Sequence, residues 1–347
     1  MPDTSVFTVL AFVISAASVV VLGAVAEPLR LVDRPDTELK THGRTVPIVG
    51  GLAVFATLHL VMLGAGVFDS GFLWASLGLF LVGLYDDLRT LGPLLRLAAS
   101  VAAGVALVLL VGFDDLIVGG LLVALVVVGV NAVNLLDGAD GVAGSAGLVS
   151  ALGLGILAAV RGIDPLPALI LAGALGGFLL FNWPKARVFL GDGGAYTVGI
   201  SLAYFVVVTS PSGAAVTAEW FAELIVAVGL LGLFAIDLIV TLLRRWFAKA
   251  PLFGGDRAHV YDQLAIRGWP ATAVAAVVGL SQALIAGVIL WASWALEPWG
   301  AASVTLGLML SVVALLWIAG FVRSSPPTRA RHRRTSVLTP SPDPTDL

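Results

Sequence analysis

The sequence predicts an all-α integral membrane protein, a polytopic bundle of about eleven transmembrane helices with its N-terminus outside and its C-terminus in the cytoplasm. Two observations carry this: long apolar runs, and a one-sided distribution of basic residues between them. Hydrophobic residues fill 59% of the 347 positions and charged residues 12%, roughly half the charged share of an ordinary globular chain. Mean hydropathy is +1.03. A net charge of −3 points to no nucleic-acid partner. The absence of cysteine excludes disulfides and thiolate metal sites.

Taken in order, the uncharged or nearly uncharged runs cover 4–26, 46–68, 70–85, 97–113, 116–136, 141–160, 165–184, 193–218, 224–243, 268–296 and 298–322. Most approach the ~20 residues an apolar helix needs to cross a bilayer. The runs 70–85 and 97–113 are short, and read as a tilted pair or as helices that borrow neighbouring residues. The first run lacks a basic leader and a small-residue cleavage site, so it reads as a retained helix rather than a signal peptide. From about 323 the composition turns to Ser, Pro, Thr and Arg. The expected organisation is a catalytic membrane domain, 1–322, followed by a disordered basic cytoplasmic tail, 323–347. In so glycine-rich a chain a lone GxxxG such as Gly173–Gly177 carries no specific signal.

Eleven spans sort the loops into two alternating sets, and every Lys and Arg except Arg161 falls in one of them. The positive-inside rule makes that set cytoplasmic. One miscounted helix would swap the later loops and destroy the separation.

The loops on the basic side also concentrate the polar chemistry. The first, 33–51, brings Lys40, His42 and Arg44 as anion donors. The second opens on Asp86 and Asp87 at the inner end of a span. Adjacent carboxylates there stay ionised most easily beside a divalent metal or a basic partner. The third reads NAVNLLDGADGVAG, 131–144. Its Asn131, Asn134, Asp137 and Asp140 recur at three-residue steps into glycine turns, and amides at the end of an apolar span are costly without partners. The fourth, FNWPKARVFLGDGG, 181–194, sets Asp192 among glycines where the next span starts. A helix N-terminus there suits a phosphate, with an Asp to hold the bridging metal. Phe189 is either an interfacial anchor or a stacking surface. The fifth, 251–264, contributes Asp256, Arg257 and His259. Asp237 lies inside a span, as a functional acid or as the partner of Arg244 or Arg245. His59 sits mid-span and reads as a buried neutral ring. Oxygen ligands of this kind suit magnesium, and the assembly suits phosphoryl transfer, which needs positioning and charge stabilisation above all.

The ordered set D-x-P-x-x-x-x-K-x-H…P-x-x-G-G, Y-D-D, N-x-x-N-x-x-D-G-x-D-G-x-A-G, F-N-W-P…V-F-L-G-D-G-G and D-R-x-H, across residues 27 to 264, resembles the polyprenyl-phosphate N-acetylhexosamine-1-phosphate transferases. That family includes bacterial enzymes that start O-antigen and teichoic-acid lipid intermediates, and the phospho-MurNAc-pentapeptide translocase. The resemblance implies a transferase of the plasma membrane with a cytoplasmic active site, using magnesium, or manganese in its place. A polyprenyl phosphate attacks the β-phosphate of a UDP-N-acetylhexosamine, and UMP leaves. Carried over by motif, Asp86 and Asp87 position or deprotonate the acceptor and, with Asp192, form the metal set. Asn131, Asn134, Asp137, Asp140 and Asn182 line the nucleotide-sugar site, and Phe189 stacks on uracil. Lys40, His42, Arg257 and His259 meet phosphates, with His259 also counted as catalytic.

Two departures stand out. Many relatives carry H-x-H-H where this chain has His259-Val260-Tyr261-Asp262, which points away from the cell-wall pentapeptide substrate. Lys185 stands where relatives often have a second proline. Membrane lipids are expected partners, and a homodimer stays open. The rival class is a transporter or flippase of lipid-linked sugars. It calls for midplane polar residues and repeat symmetry, and the sequence offers only Asp237 and His59 toward it.

Overall fold

The computed structural model describes residues 3–33, 45–210, 216–250 and 258–322. The predicted tail, 323–347, lies outside them. The described chain is helical apart from a two-stranded ribbon. In order it forms α1 (Thr4–Val25), β1 (Val32–Asp33), β2 (Val46–Pro47), α2 (Gly50–Ala65), α3 (Ser70–Leu88), α4 (Pro93–Val111), α5 (Leu116–Leu136) and α6 (Val142–Val160). There follow α7 (Leu166–Asn182), α8 (Gly191–Val208), α9 (Ala218–Gly229), α10 (Gly232–Phe247), α11 (Val260–Ile266), α12 (Ala271–Ala295) and α13 (Pro298–Ile318). Among the described residues eight helices are long and apolar enough to cross a membrane, or nine if the bent pair α9–α10 counts as one span. The chain is an integral, multi-pass membrane protein. The shorter apolar helices α2 and α7 fall on two further predicted runs.

Two runs that looked short are full helices. α3 continues to Leu88, so Asp86 and Asp87 belong to its last turn, and α4 begins at Pro93, which suits a first helical position because it lacks an N–H. Asp69 caps α3, accepting from the Phe72 N–H at 2.8 Å. Asp115 caps α5 in the same way.

The run expected as one span at 224–243 is instead broken. α9 and α10 meet at 84° across Leu230 and Leu231. Hydropathy cannot register such a break, because both arms are apolar. What makes it tolerable is Gln282, buried midway along α12. Its amide donates to the Leu230 carbonyl (2.7 Å) and to Ser150 Oγ (3.0 Å), and its oxygen accepts from the Leu233 N–H (2.9 Å). One side chain thus satisfies backbone groups that a membrane interior would leave unpaired.

The Gly173–Gly177 pattern also proves to be a real packing motif. α1 lies along α7 so closely that a Cβ on Gly173 would strike the Thr8 carbonyl, and one on Gly177 would lie 2.9 Å from the Ala16 nitrogen. Ser15 Oγ donates to the Ala174 carbonyl across the same seam at 2.6 Å. Close backbone approach of this kind is how helices associate where lipid removes the hydrophobic drive.

α8 is the axis of the bundle, buried along almost its whole length and packed against α2, α3, α5, α6, α7 and α9. At its far end, Arg161 is held rather than solvated. It donates to the Thr209 carbonyl (2.8 Å) and the Glu223 carbonyl (3.1 Å) and pairs with the Glu223 carboxylate. Loss of solvent lowers its pKa to about 10. The basic residue that stood apart from the others is therefore a staple joining the ends of α6 and α8 to the middle of α9. His59 is buried as expected, its Nε2 2.9 Å from Ser76 Oγ and its ring between Phe55 and Phe72.

Candidate active site

The site begins with glycines that let backbones touch. A Cβ on Gly83 of α3 would lie 2.6 Å from the Gly193 Cα, and one on Gly51 of α2 would lie 2.7 Å from the Leu190 carbonyl oxygen. α2, α3 and the start of α8 therefore converge without side chains between them. The segment before α2 completes the seam. Val32 pairs with Pro47 and Asp33 with Val46 in the β1–β2 ribbon. Phe189 N–H then donates to the Pro47 carbonyl, and Gly50 and Gly51 donate to Phe189 and Leu190. Gly191 turns at φ +73°, a conformation glycine adopts without cost, and leads straight into α8.

This convergence sets Asp87 against the N-terminus of α8. Its carboxylate accepts from the Asp192 N–H (2.8 Å) and the Gly193 N–H (3.2 Å). These are two of the donors that a helix start leaves unpaired, and the helix dipole favours a negative charge there. Asp86, one residue earlier, turns the other way and is buried. It accepts from Leu91 N–H (2.7 Å), Arg96 Nη2 (2.9 Å) and Tyr196 Oη (3.1 Å), while Arg96 Nε lies 2.7 Å from its second oxygen but poorly aligned for a hydrogen bond. Side chains of Arg96 and Tyr196 therefore hold Asp86, while backbone amides hold Asp87.

Asp192, in the first turn of α8, accepts from Asn134 Nδ2 at 2.5 Å. The Asn134 amide thereby ties the end of α5 to the start of α8. Asp137 caps the C-terminus of α5, and its carboxylate accepts no hydrogen bond from the described residues. Desolvation, followed by repulsion from Asp192, Asp87 and Asp140, holds its pKa well above the usual carboxylate range. Asp86 acts on Asp87 and Asp192 as well, so five acids from three segments share one field. Asp140 accepts from the Ala186 N–H at 2.8 Å. Asn182 is buried and bridges the same loops, accepting from Gly141 N–H (3.0 Å) and donating to the Val188 carbonyl (2.9 Å).

Of the predicted residues, Asp86, Asp87, Asn134, Asp137, Asp140, Asn182 and Asp192 are brought together. Phe189 is half-buried, with its backbone in the seam beside them. Asn131 is not brought in: it is exposed and its amide turns back to the Val127 carbonyl of its own helix at 2.7 Å. Lys40, His42 and Arg257 lie outside the described residues. His259 joins from another direction, with Nδ1 2.7 Å from Asp237 Oδ2. Of the two readings of Asp237, that contact sets aside the ion pair within α10. Arg244 reaches the Ala258 carbonyl at 2.5 Å, while Asp237 takes the imidazole and the Val260 N–H. Tyr261, stacked on His259, donates to the Leu135 carbonyl at 3.0 Å and so docks α11 on the end of α5.

Sequence reasoning passed over Arg96, Tyr196 and Tyr261. The first two had a signal available. Arg96 is a basic residue in the same loop as Asp86, and Tyr196 lies one helical turn after Asp192, on the same face. Tyr261 was marked only as a departure from the H-x-H-H run, with no sign of its contact with α5.

Beside the polar cluster is an apolar cavity of about 340 Å³. It runs between α5, α10, α11, α12 and α13, with Leu136, Asp237, Tyr261, Val278, Leu308 and Leu316 among its walls. Two of those walls adjoin the acid-bearing loop: Leu136 precedes Asp137, and the Tyr261 hydroxyl meets the Leu135 carbonyl. Among the described residues no three His, Asp or Glu side chains form a ready-made metal cage.

Fold and site together define a membrane-embedded protein whose acids, helix N-terminus and apolar cavity meet at one end of a helical bundle. Residues 70–210 match the family model described as glycosyl transferase family 4. The chain is 32% identical over 246 residues to the undecaprenyl-phosphate alpha-N-acetylglucosaminyl 1-phosphate transferase of Thermotoga maritima, covering 70% of this chain and 75% of that one. It is 30% identical over 287 residues to the decaprenyl-phosphate N-acetylglucosaminephosphotransferase of Mycobacterium tuberculosis, covering 70% and 69%. To the phospho-N-acetylmuramoyl-pentapeptide-transferase of Deinococcus radiodurans it is 33% identical over 211 residues, or 50% and 64%. The chain belongs to glycosyl transferase family 4 and is a transferase.

Proposed function

We propose that this protein transfers an N-acetylhexosamine 1-phosphate from a UDP-sugar to polyprenyl phosphate. An oxygen of the acceptor phosphate forms a bond to the β-phosphorus, the bond from that phosphorus to the bridging oxygen breaks, and UMP leaves with the electron pair. The product is a polyprenyl diphosphate-linked sugar. The observation that carries this reading is an apolar cavity whose walls include Leu136, the residue before Asp137, and Tyr261, docked on the Leu135 carbonyl. A lipid phosphate needs both: a dry groove for its chain and a charged site for its head. The curated relatives act on polyprenyl phosphates by name, which supports the same acceptor class.

The donor set fits magnesium. It is oxygen-only, and magnesium is commonly held by one or two carboxylates plus substrate phosphates rather than by an all-protein cage. Asp192 and Asp137 would hold it, with Asp87 supporting from the helix N-terminus. When bound, the ion would offset the charge of two approaching phosphates. Asp86, locked by Arg96 and Tyr196, orients the end of α3 in this scheme. Asn134 fixes Asp192, while Asp140 and Asn182 hold the loops that flank the donor. Phe189 stacks on the base, and Lys40, His42, Arg257 and His259 meet phosphates.

Topology completes the proposal. α2, α7 and the bent α9–α10 unit all count as spans, giving about eleven. The N-terminus is then outside, and the site faces the cytoplasm of a plasma membrane, where UDP-sugars are made. Residues 1–322 form the catalytic unit and 323–347 a basic tail.

The test is release of UMP by purified protein from a panel of UDP-amino sugars with polyprenyl phosphate and magnesium. UMP that depends on both substrates is expected, and its absence with every sugar would exclude this activity.

A further inference from the structure

We infer that Asp237 is a positioning residue that orients His259 toward the phosphates, an inference that rests on the transfer proposed above. The two residues lie 22 positions apart, and both side chains are buried. Asp237 Oδ2 is 2.7 Å from the imidazole Nδ1, and its Oδ1 accepts from the Val260 N–H at 3.2 Å. One carboxylate thus holds both the ring and the first turn of α11. Thr241, one helical turn further along α10, puts its Oγ1 3.3 Å from the same nitrogen. The other face of the ring assembly is set by Tyr261, whose ring lies parallel to the imidazole within 4° at 5.5 Å between centroids. The Tyr261 hydroxyl then bonds the Leu135 carbonyl, next to the segment that carries Asn134 and Asp137. The Tyr261 hydroxyl also fills the space where a Cβ on Gly138 would stand.

A carboxylate inside an apolar helix is costly, and a merely structural tie would be met more cheaply by a neutral side chain. What a carboxylate adds is control over the imidazole. With Nδ1 facing Asp237, chemistry at this ring proceeds through Nε2. The same contacts fix where the ring stands relative to the end of α5. Asp237 acts through His259 and touches no reacting atom itself.

Three arms test this. In turnover, Asp237→Asn should lower kcat by about 10²-fold while KM for the UDP-sugar changes little. The same substitution on a His259→Ala background should add almost nothing, because the two act as one unit. Thr241→Val, milder in its demand on folding, should give a smaller fall in kcat of the same kind. The third arm needs no turnover: ¹⁵N spectra of imidazole-labelled protein should show one histidine whose Nδ1 resonance moves in Asp237→Asn and in Thr241→Val. Unchanged kcat in Asp237→Asn, an equal loss on both backgrounds, or histidine spectra untouched by either substitution would overturn the inference. Wild-type protein that releases no UMP would instead count against the transfer itself, and the spectra would still decide whether Asp237 holds the ring.

Discussion

Two regions of this molecule hold polar groups inside an apolar bundle, and they do so by opposite means. At the junction of α2, α3 and α8 the backbone does the holding. Glycines at 51, 83, 193 and 194 allow main chains to touch, and Asp87 is satisfied by helix N–H groups. At the α9–α10 break the side chains do it. Gln282 caps the interrupted backbone, and the Asp237 carboxylate holds an imidazole. The first region has almost no freedom to rearrange, since backbone contacts admit no alternative rotamers. The second is a joint pinned by a few removable bonds. A site that must place several carboxylates within one field benefits from the first kind of support. A segment that lines an apolar cavity can be built from the second.

Breaking the glycine junction should have the largest effect. Gly51→Val would drive its side chain into the Leu190 carbonyl and the start of α8, and we expect no monodisperse protein on extraction in mild detergent. Recovery of folded, active Gly51→Val would show that the junction yields. Next comes Asp192→Asn, which keeps the shape of the junction and removes a charge. It should lose at least about 10²-fold in UMP release, given that metal charge stabilisation amounts to several kcal/mol, with unchanged gel-filtration behaviour. Turnover near wild type would remove Asp192 from the proposed metal ligands.

At the α9–α10 break itself the expected loss is of stability rather than chemistry. Gln282→Leu leaves the Leu230 carbonyl and the Leu233 N–H unpaired, at a cost of about 1–3 kcal/mol. Thermal unfolding in detergent should report a lower midpoint, and an unchanged midpoint would mean that water or a local shift replaces the amide. The smallest effect belongs to Asn131→Ala. Its amide serves only its own helix and is exposed, so steady-state turnover should stay within about twofold. A large loss would mean that Asn131 swings into the site once substrate binds.

Much of the fold was legible because membrane insertion leaves its record in composition. Apolar run length marks helices, and the runs match the helices even where α2 and α7 are short. The break between α9 and α10 was illegible for the same reason, since both arms are equally apolar and the residue that makes the break tolerable lies 49 positions away from Leu233. The GxxxG at Gly173 was legible but uninterpretable, because a glycine-rich chain offers many such patterns and only the packed neighbour distinguishes one. The acids of the site were plain in the sequence, each marked by its cost in an apolar setting. Their partners were not: Arg96 and Tyr196 sit 10 and 110 positions from Asp86.

The sequence by itself determined that the chain lives in a membrane, which loops carry its charge, and which acids and amides stand ready for phosphate chemistry. Those properties depend on transfer free energies of single residues and on local spacing, which are additive along a chain. Only the tertiary structure decided that Asp86 is bound by Arg96 while Asp87 faces a helix N-terminus, that Asp237 belongs to His259, and that an apolar cavity adjoins the acid-bearing loop. Those are pairings between distant segments, fixed by which backbones can approach one another, and no local property of the chain encodes them.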